Sequence, residues 1–191
     1  MIAFPFLLYV RASVFLYSHI GGAPWIAVAG ALTITVGTVT LFAAWLAKQV
    51  SASTRLATLA RWIAAPIATG WLLYSLLFLA RVNAKTDDVR VYFASLHPVL
   101  RVAVSTVILV APGVVITDMQ RQADDYRRMG LPVNDRTRHY VQADGWVQAV
   151  DLRTLGRSEL RNRSLQLYFR AMGFSTTRHV GTADHLHVQL R

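Results

Sequence analysis

The residues with the most chemical content lie at the end of the chain, in Asp184-His185-Leu186-His187-Val188-Gln189-Leu190. The segment predicts a strand over 185–190, and alternate side chains of a strand share a face. His185 and His187 then project together from a polar face, while Leu186, Val188 and Leu190 point into a core. Two adjacent imidazoles can supply one metal ligand and one general acid or base. A further donor is Asp151, a carboxylate inside the apolar segment Gln148-Ala149-Val150-Asp151-Leu152. A buried carboxylate needs a partner, and a metal ion is one. Zinc accepts His nitrogen and Asp oxygen, and a catalytic zinc site keeps a position for a water whose pKa falls to about 7. The same residues also fit a solvated strand face and an aspartate paired with an arginine, so spacing alone leaves both readings open. No cysteine is present, which excludes disulfides, thiolate metal sites and cysteine nucleophiles.

The elements that position these donors alternate between helix and strand. Leu96, Leu100, Ala103, Val104, Val107 and Val110 recur at helical spacing, with Arg101, Ser105 and Thr106 away from the centre of the stripe. This predicts an amphipathic core helix capped by Ser95, with His97-Pro98 in its first turn. Pro112-Gly113 ends it, and Val114-Val115-Ile116-Thr117 reads as a short buried strand. The stretch 99–117 also competes as a further membrane span, but Arg101 and the Pro-Gly break leave too few residues on either side to cross. A polar helix is expected over 120–129, a strand over 147–152, and a helix over 158–172 with Leu160, Leu165, Tyr168, Phe169 and Met172 inward. Strands over 174–180 and 185–190, joined by Gly181-Thr182-Ala183-Asp184, make a hairpin. The expected unit over 91–191 is a small α+β domain with an antiparallel sheet, large enough for one modest core.

The front of the chain has a different composition. The formal net charge is +10, yet residues 1–90 hold seven basic side chains and two acidic ones, whereas residues 91–191 hold thirteen arginines and eight acids. Residues 25–47 and 62–80 carry no charge, and about 20 apolar residues suffice to span a bilayer. Trp25, Trp45, Trp62 and Trp71 include three near the ends of these runs, where interfacial aromatics sit. Residues 1–90 therefore read as a membrane anchor with two spans. Segment 2–20, interrupted by Arg11, is either an interfacial helix or a third span. The connection 48–61 carries Lys48, Arg55 and Arg61 and no acid, which places it in the cytoplasm and the 91–191 domain on the opposite side. Outside the cytoplasm the arginines meet anionic lipid or wall polymer, and with no aromatic-basic stripe in the back half, nucleic acid is not an expected partner.

The order of motifs resembles the LAS-type zinc peptidases, which include D-Ala-D-Ala carboxypeptidases, murein endopeptidases and related phage endolysins. Their pattern is a strand leading to an Arg, then S-x-H-x-x-G-x-A-x-D, a helix, and a terminal strand with H-x-H. Here Val114-Val115-Ile116-Thr117-Asp118 is followed by Arg121, Thr137-Arg138-His139, Ala149-Val150-Asp151-Leu152 and His185-Leu186-His187. The resemblance covers roughly 97–191. It implies zinc held by Asp151 and His187, His185 as general acid/base, and Arg121 as a contact to a substrate carboxylate or carbonyl. One departure stands out: the place of the family's first His, seven before Asp151, is Asp144, and the nearest upstream histidine is His139. Either a lengthened connection still brings His139 to the metal, or Asp144 replaces it, or the site has lost zinc. His139 also fits an exposed loop histidine, and His97 and His179 fit structural roles.

The resemblance implies a zinc-dependent peptidase or amidase in the bacterial inner membrane, its domain facing outward onto peptidoglycan peptide. The alternative is a degenerate domain of the same fold that binds wall peptide or a protein partner.

Overall fold

The computed structural model describes residues 4–21, 23–49, 55–130, 132–134, 136–181 and 184–191. Three helices open the chain: α1 (Phe4–Ile20), α2 (Pro24–Gln49) and α3 (Arg55–Leu77). Within α2, Pro24–Trp45 is long and apolar enough to cross a membrane, with 22 residues at a mean hydropathy of 2.0. Among the described residues no other helix meets that test. The second expected span, 62–80, falls on α3, which ends at Leu77, and Pro66–Leu77 is its apolar stretch among the described residues. Of segment 2–20, Phe4–Ile20 forms α1, and residues 2 and 3 lie outside the described residues. The expected cytoplasmic connection includes residues 50–54, which lie outside the described residues.

Beyond a 3-10 turn at Arg81–Asn83 come α4 (Asp87–Val91), a second 3-10 turn (Tyr92–Ser95), α5 (Pro98–Val110) and β1 (Ile116–Asp118). Then follow α6 (Ala123–Arg128), β2 (Ala149–Arg153), α7 (Glu159–Met172), β3 (Ser175–His179) and β4 (His185–Gln189). The four strands form one antiparallel sheet in the order β1-β2-β4-β3. The N-terminal helices are thus followed by a small α+β domain, and the expected helix-turn-strand over 99–117 is what forms there. The turn between β3 and β4 includes residues 182 and 183, which lie outside the described residues. In α7, Ser158 is the N-cap, and Leu165 and Phe169 are buried as expected, but Leu160 is 77% exposed.

Helix α5 departs from its expected amphipathic form. Every residue from Pro98 to Val107 is buried, Arg101, Ser105 and Thr106 included. Its cap is His97, whose Nδ1 accepts from Val99 N at 3.3 Å, whereas Ser95 bonds back to Tyr92 O. Arg101 is tolerated inside because its guanidinium donates to three backbone carbonyls, those of Leu96, Leu76 and Ala94, at 2.6, 2.8 and 2.5 Å. Ser105 donates to Ser75 O. Two of these acceptors, at Leu76 and Ser75, belong to α3, so the polar residues of α5 mark a docking face and not a solvent face. A single apolar core follows, running from Val10, Val14, Leu72 and Leu76 through α5 to Val150, Leu152, Leu186 and Val188. At the edge of this packing α1 meets Gly173, the left-handed C-cap of α7 at φ +106°. A Cβ there would lie 2.9 Å from Val14 and 3.5 Å from the Arg11 guanidinium. Arg11 therefore faces the carbonyl end of α7, where a cation is favoured.

His97 is fully buried, its Nε2 has no hydrogen-bond partner, and Asp144 lies 3.9 Å away. Burial lowers its pKa from 6.5 to about 4, with Asp144 opposing and Arg101 adding to the shift. The unfolded chain takes up this proton near pH 6.5 and the folded chain only near pH 4. The neutral histidine's contribution, up to about 3 kcal/mol, is therefore complete above 6.5 and disappears progressively as pH falls to 4. His97→Asn keeps a capping acceptor and removes the titration. Its melting temperature should change less between pH 6.5 and 4 than that of the wild type, and equal pH profiles would contradict the assignment.

Candidate metal centre

The sheet register brings the donors into one row. Asp118 pairs with Asp151, Asp151 with His187, and His187 with Thr177, so these four residues cross the sheet side by side. A neighbouring row holds Arg153, His185 and His179. On the other face Val150, Leu152, Leu186 and Val188 are buried in the core, which is the alternation expected of β4. An irregularity between Ile116 and Asp118 shifts the β1 register and brings Asp118 opposite Asp151.

His139 arrives from the long connection between α6 and β2, and it is 2% exposed. Two contacts fix it from behind: Nδ1 bonds Met119 O at 2.5 Å, and its carbonyl accepts from Arg121 N at 3.0 Å. With Nδ1 carrying the proton, Nε2 turns a lone pair toward the sheet. That atom lies 3.2 Å from His187 Nδ1 and 3.3 Å from Asp151 Oδ1, and His187 Nδ1 lies 2.8 Å from the same oxygen. On its far side His187 Nε2 bonds Gln189 Oε1 at 3.0 Å, which favours the proton there and again aims a lone pair inward. Met119 O and Gln189 Oε1 thus act as the outer partners that set histidine tautomers at metal sites.

Three acceptors facing one another at 2.8–3.3 Å repel unless a cation or a proton lies among them. The two contacts of His139, at 3.2 and 3.3 Å, are close to the roughly 3.3–3.6 Å between donors on bonds of about 2.0–2.2 Å in a tetrahedron, and the 2.8 Å pair of His187 and Asp151 would have to open slightly to admit a metal ion. His139, Asp151 and His187 are the group among the described residues that could hold one. Without a metal, a proton takes the place. Burial lowers the pKa of His187, but its hydrogen bonds to Asp151 and Gln189 outweigh this and raise it. Burial likewise raises Asp151, yet the bonds from His139 and His187 hold its carboxyl well below the usual range.

Arg121 stands between two carboxylates, with Nε donating to Asp118 at 2.5 Å and Nη2 to Asp151 at 3.1 Å. It orients the outer oxygen of Asp151 while Oδ1 faces the histidines. His185 Nε2 lies 3.7 Å from Asp151 Oδ2, and its ring stacks on His179 with centroids 4.6 Å apart. His179, expected to be structural, therefore borders the site, and its ring also lies edge-on to His187 at 6.4 Å. Hairpin register could have found it, since His179 and His185 are direct cross-strand partners. Period-two spacing could have found Gln189. Asp144 is not brought to the cluster: its carboxylate accepts from Tyr17 Oη, Gln148 Nε2 and Trp146 N. His139 is a buried residue and not an exposed loop histidine. Asp184 holds the start of β4 through a bidentate bond from Arg178 and one from Thr154.

No protein-family model, curated protein or solved structure matches this chain.

His139→Ala and His187→Ala each remove a donor and should lower affinity for a divalent metal at least a hundredfold in equilibrium dialysis of the full chain. Asp144→Asn should keep the full metal stoichiometry. Loss of stoichiometric binding in Asp144→Asn, with retention in His139→Ala, would reassign the ligand.

Proposed function

We propose that this chain is a membrane-anchored zinc peptidase or amidase of the LAS type, acting on the peptides of the bacterial cell wall. One observation carries the reading: His139 Nε2, Asp151 Oδ1 and His187 Nδ1 converge within 4.8 Å, and both imidazoles have an outer partner. Two histidines and a carboxylate leave a fourth position open, as in hydrolytic zinc sites. The motif order from Asp118 to His187 supports the same reading, with His139 brought in by a connection longer than the family's.

His139, Asp151 and His187 hold the metal in this proposal. When bound, zinc supplies a Lewis acid for the scissile carbonyl and lowers the pKa of a coordinated water. The residues of the chain do the rest. His185, on the same sheet face, moves the proton from the attacking water to the leaving amine. Arg121 keeps Asp151 turned toward the histidines through its Oδ2, and its guanidinium, oriented by Asp118, lies beside the site as a contact for a substrate carboxylate or carbonyl. Thirteen arginines in residues 91–191 suit an anionic wall polymer. Anchoring in the inner membrane rests in this proposal on α2, with α3 and α1 as further membrane-associated helices, and the basic residues of the 48–61 connection favour a domain outside the cytoplasm. A degenerate, non-catalytic binding domain is the second reading. It is favoured by the way His187, Asp151 and Arg121 satisfy one another without a metal.

The purified full chain in detergent should hold zinc in a one-to-one ratio by elemental analysis and release peptide fragments from purified peptidoglycan. His185→Ala should keep the zinc and lose about 10²–10⁴-fold in kcat, the usual contribution of a general acid/base. A zinc-loaded chain that releases nothing supports the binding domain, and a chain without zinc whose His187→Ala variant behaves as wild type sinks the peptidase.

A further inference from the structure

We infer that α1 is a positioning element for the metal centre, through a strut from Tyr17 to Asp144 that holds the loop carrying His139. The inference rests on the reading of His139, Asp151 and His187 as metal ligands.

Asp144 occupies the place where the family pattern has its first ligand, and here its carboxylate is committed elsewhere. Oδ2 accepts from Tyr17 Oη of α1 at 3.2 Å and from Gln148 Nε2 at 2.7 Å, while Oδ1 accepts from Trp146 N at 3.1 Å. Gln148 passes the connection on. Its Oε1 accepts from Arg138 Nη1 at 2.6 Å, and its backbone N donates to Arg138 O at 2.9 Å. Arg138 is the residue before His139. An unbroken chain of hydrogen bonds therefore runs from α1 to the peptide adjoining the first ligand.

Aromatic packing holds the same loop at its other points. The Tyr17 ring lies edge-on to His97 at 4.5 Å, and Trp25 at the start of α2 lies edge-on to Trp146 at 5.8 Å. The Arg101 guanidinium sits over the Trp146 ring at 5.0 Å. The first turn of α2, the end of α1 and the start of α5 thus grip residues 144–148 together. Met119 and Arg121 fix His139 from the sheet side. His139 needs both supports because, among the described residues, no strand lies between α6 and β2 to hold it. A ligand on an untethered loop weakens metal binding by the fraction of time it is misplaced. The strut keeps that fraction small before any metal arrives, and it makes the N-terminal helices part of the site's architecture.

Two measurements on the full chain in detergent test this: zinc affinity by competition with a chelating dye, and amide hydrogen exchange of the metal-free protein. Tyr17→Phe should weaken zinc binding roughly fivefold, the scale of one lost hydrogen bond, and Asp144→Ala, which also loses the bonds from Gln148 and Trp146, at least as much. The double variant should be no weaker than about twice Asp144→Ala alone, because both cut the same connection. Amides of residues 137–148 should exchange faster in both variants, with β2 and β4 unchanged. Asp144→Asn keeps an acceptor oxygen and should bind zinc within about twofold of wild type. With cobalt in place of zinc, the visible spectrum should be the same in Asp144→Ala and wild type. Unchanged loop exchange in both Tyr17→Phe and Asp144→Ala overturns the strut, and so does an Asp144→Asn variant as impaired as Asp144→Ala. If wild type itself binds no zinc, the metal reading fails, while loop exchange in the metal-free chain still decides whether the strut exists.

Discussion

Helix α5 has no solvent face from Pro98 to Val107, and the arrangement of the whole molecule follows from that. A helix buried all round needs partners on every side. One side is supplied by the sheet and α7, where Tyr168 bonds Ala103 O, and the other by α1, α2 and α3. The three donors of Arg101 and the hydroxyl of Ser105 are satisfied only when the end of α3 and the turn before α5 are in place. Removing those carbonyls would leave a buried cation unbonded, an expensive state. The composition changes sharply near residue 90, but the core passes through that point without a break.

The candidate site obeys a different constraint, set by one carboxylate. Asp151 is 2% exposed, so its charge must be answered locally. Arg121 answers one oxygen and the two histidines face the other. Because each histidine has its other nitrogen engaged by Met119 or Gln189, the inner nitrogens have little freedom to turn away. Whatever positive species occupies that space, proton or metal, is chosen by this fixed set of acceptors. The opposite strand face contributes indirectly: Val150, Leu152, Leu186 and Val188 lock the register that keeps Asp151 beside His187.

Much of this was legible from residues alone. Period-two alternation in 185–190 put His185 and His187 on one face, and the lone carboxylate in 148–152 marked the other donor. The Pro112-Gly113 break separated α5 from β1 where hydropathy suggests a further span. What the chain concealed has a common cause, since each case depends on a partner distant in sequence. Arg101 and Ser105 look like a polar edge until α3 lies against them. His179 joins the site through its strand pairing with His185. The approach of His139 depends on the loop between α6 and β2, and Asp144 is drawn away from the cluster by its bonds from Tyr17 and Gln148.

The buried state of α5 also imposes an order on synthesis. Helices α1 to α3 emerge from the ribosome first, and domains form as their segments appear. The surface that α5 will cover, with Val10, Val14, Leu72 and Leu76, is apolar and is complete about twenty residues before α5 begins. The sheet closes later still, because β2 joins β1 across more than thirty residues and its other neighbour, β4, is last in the chain. The N-terminal helices are therefore made with this apolar surface open, and α5 is the later segment that covers it.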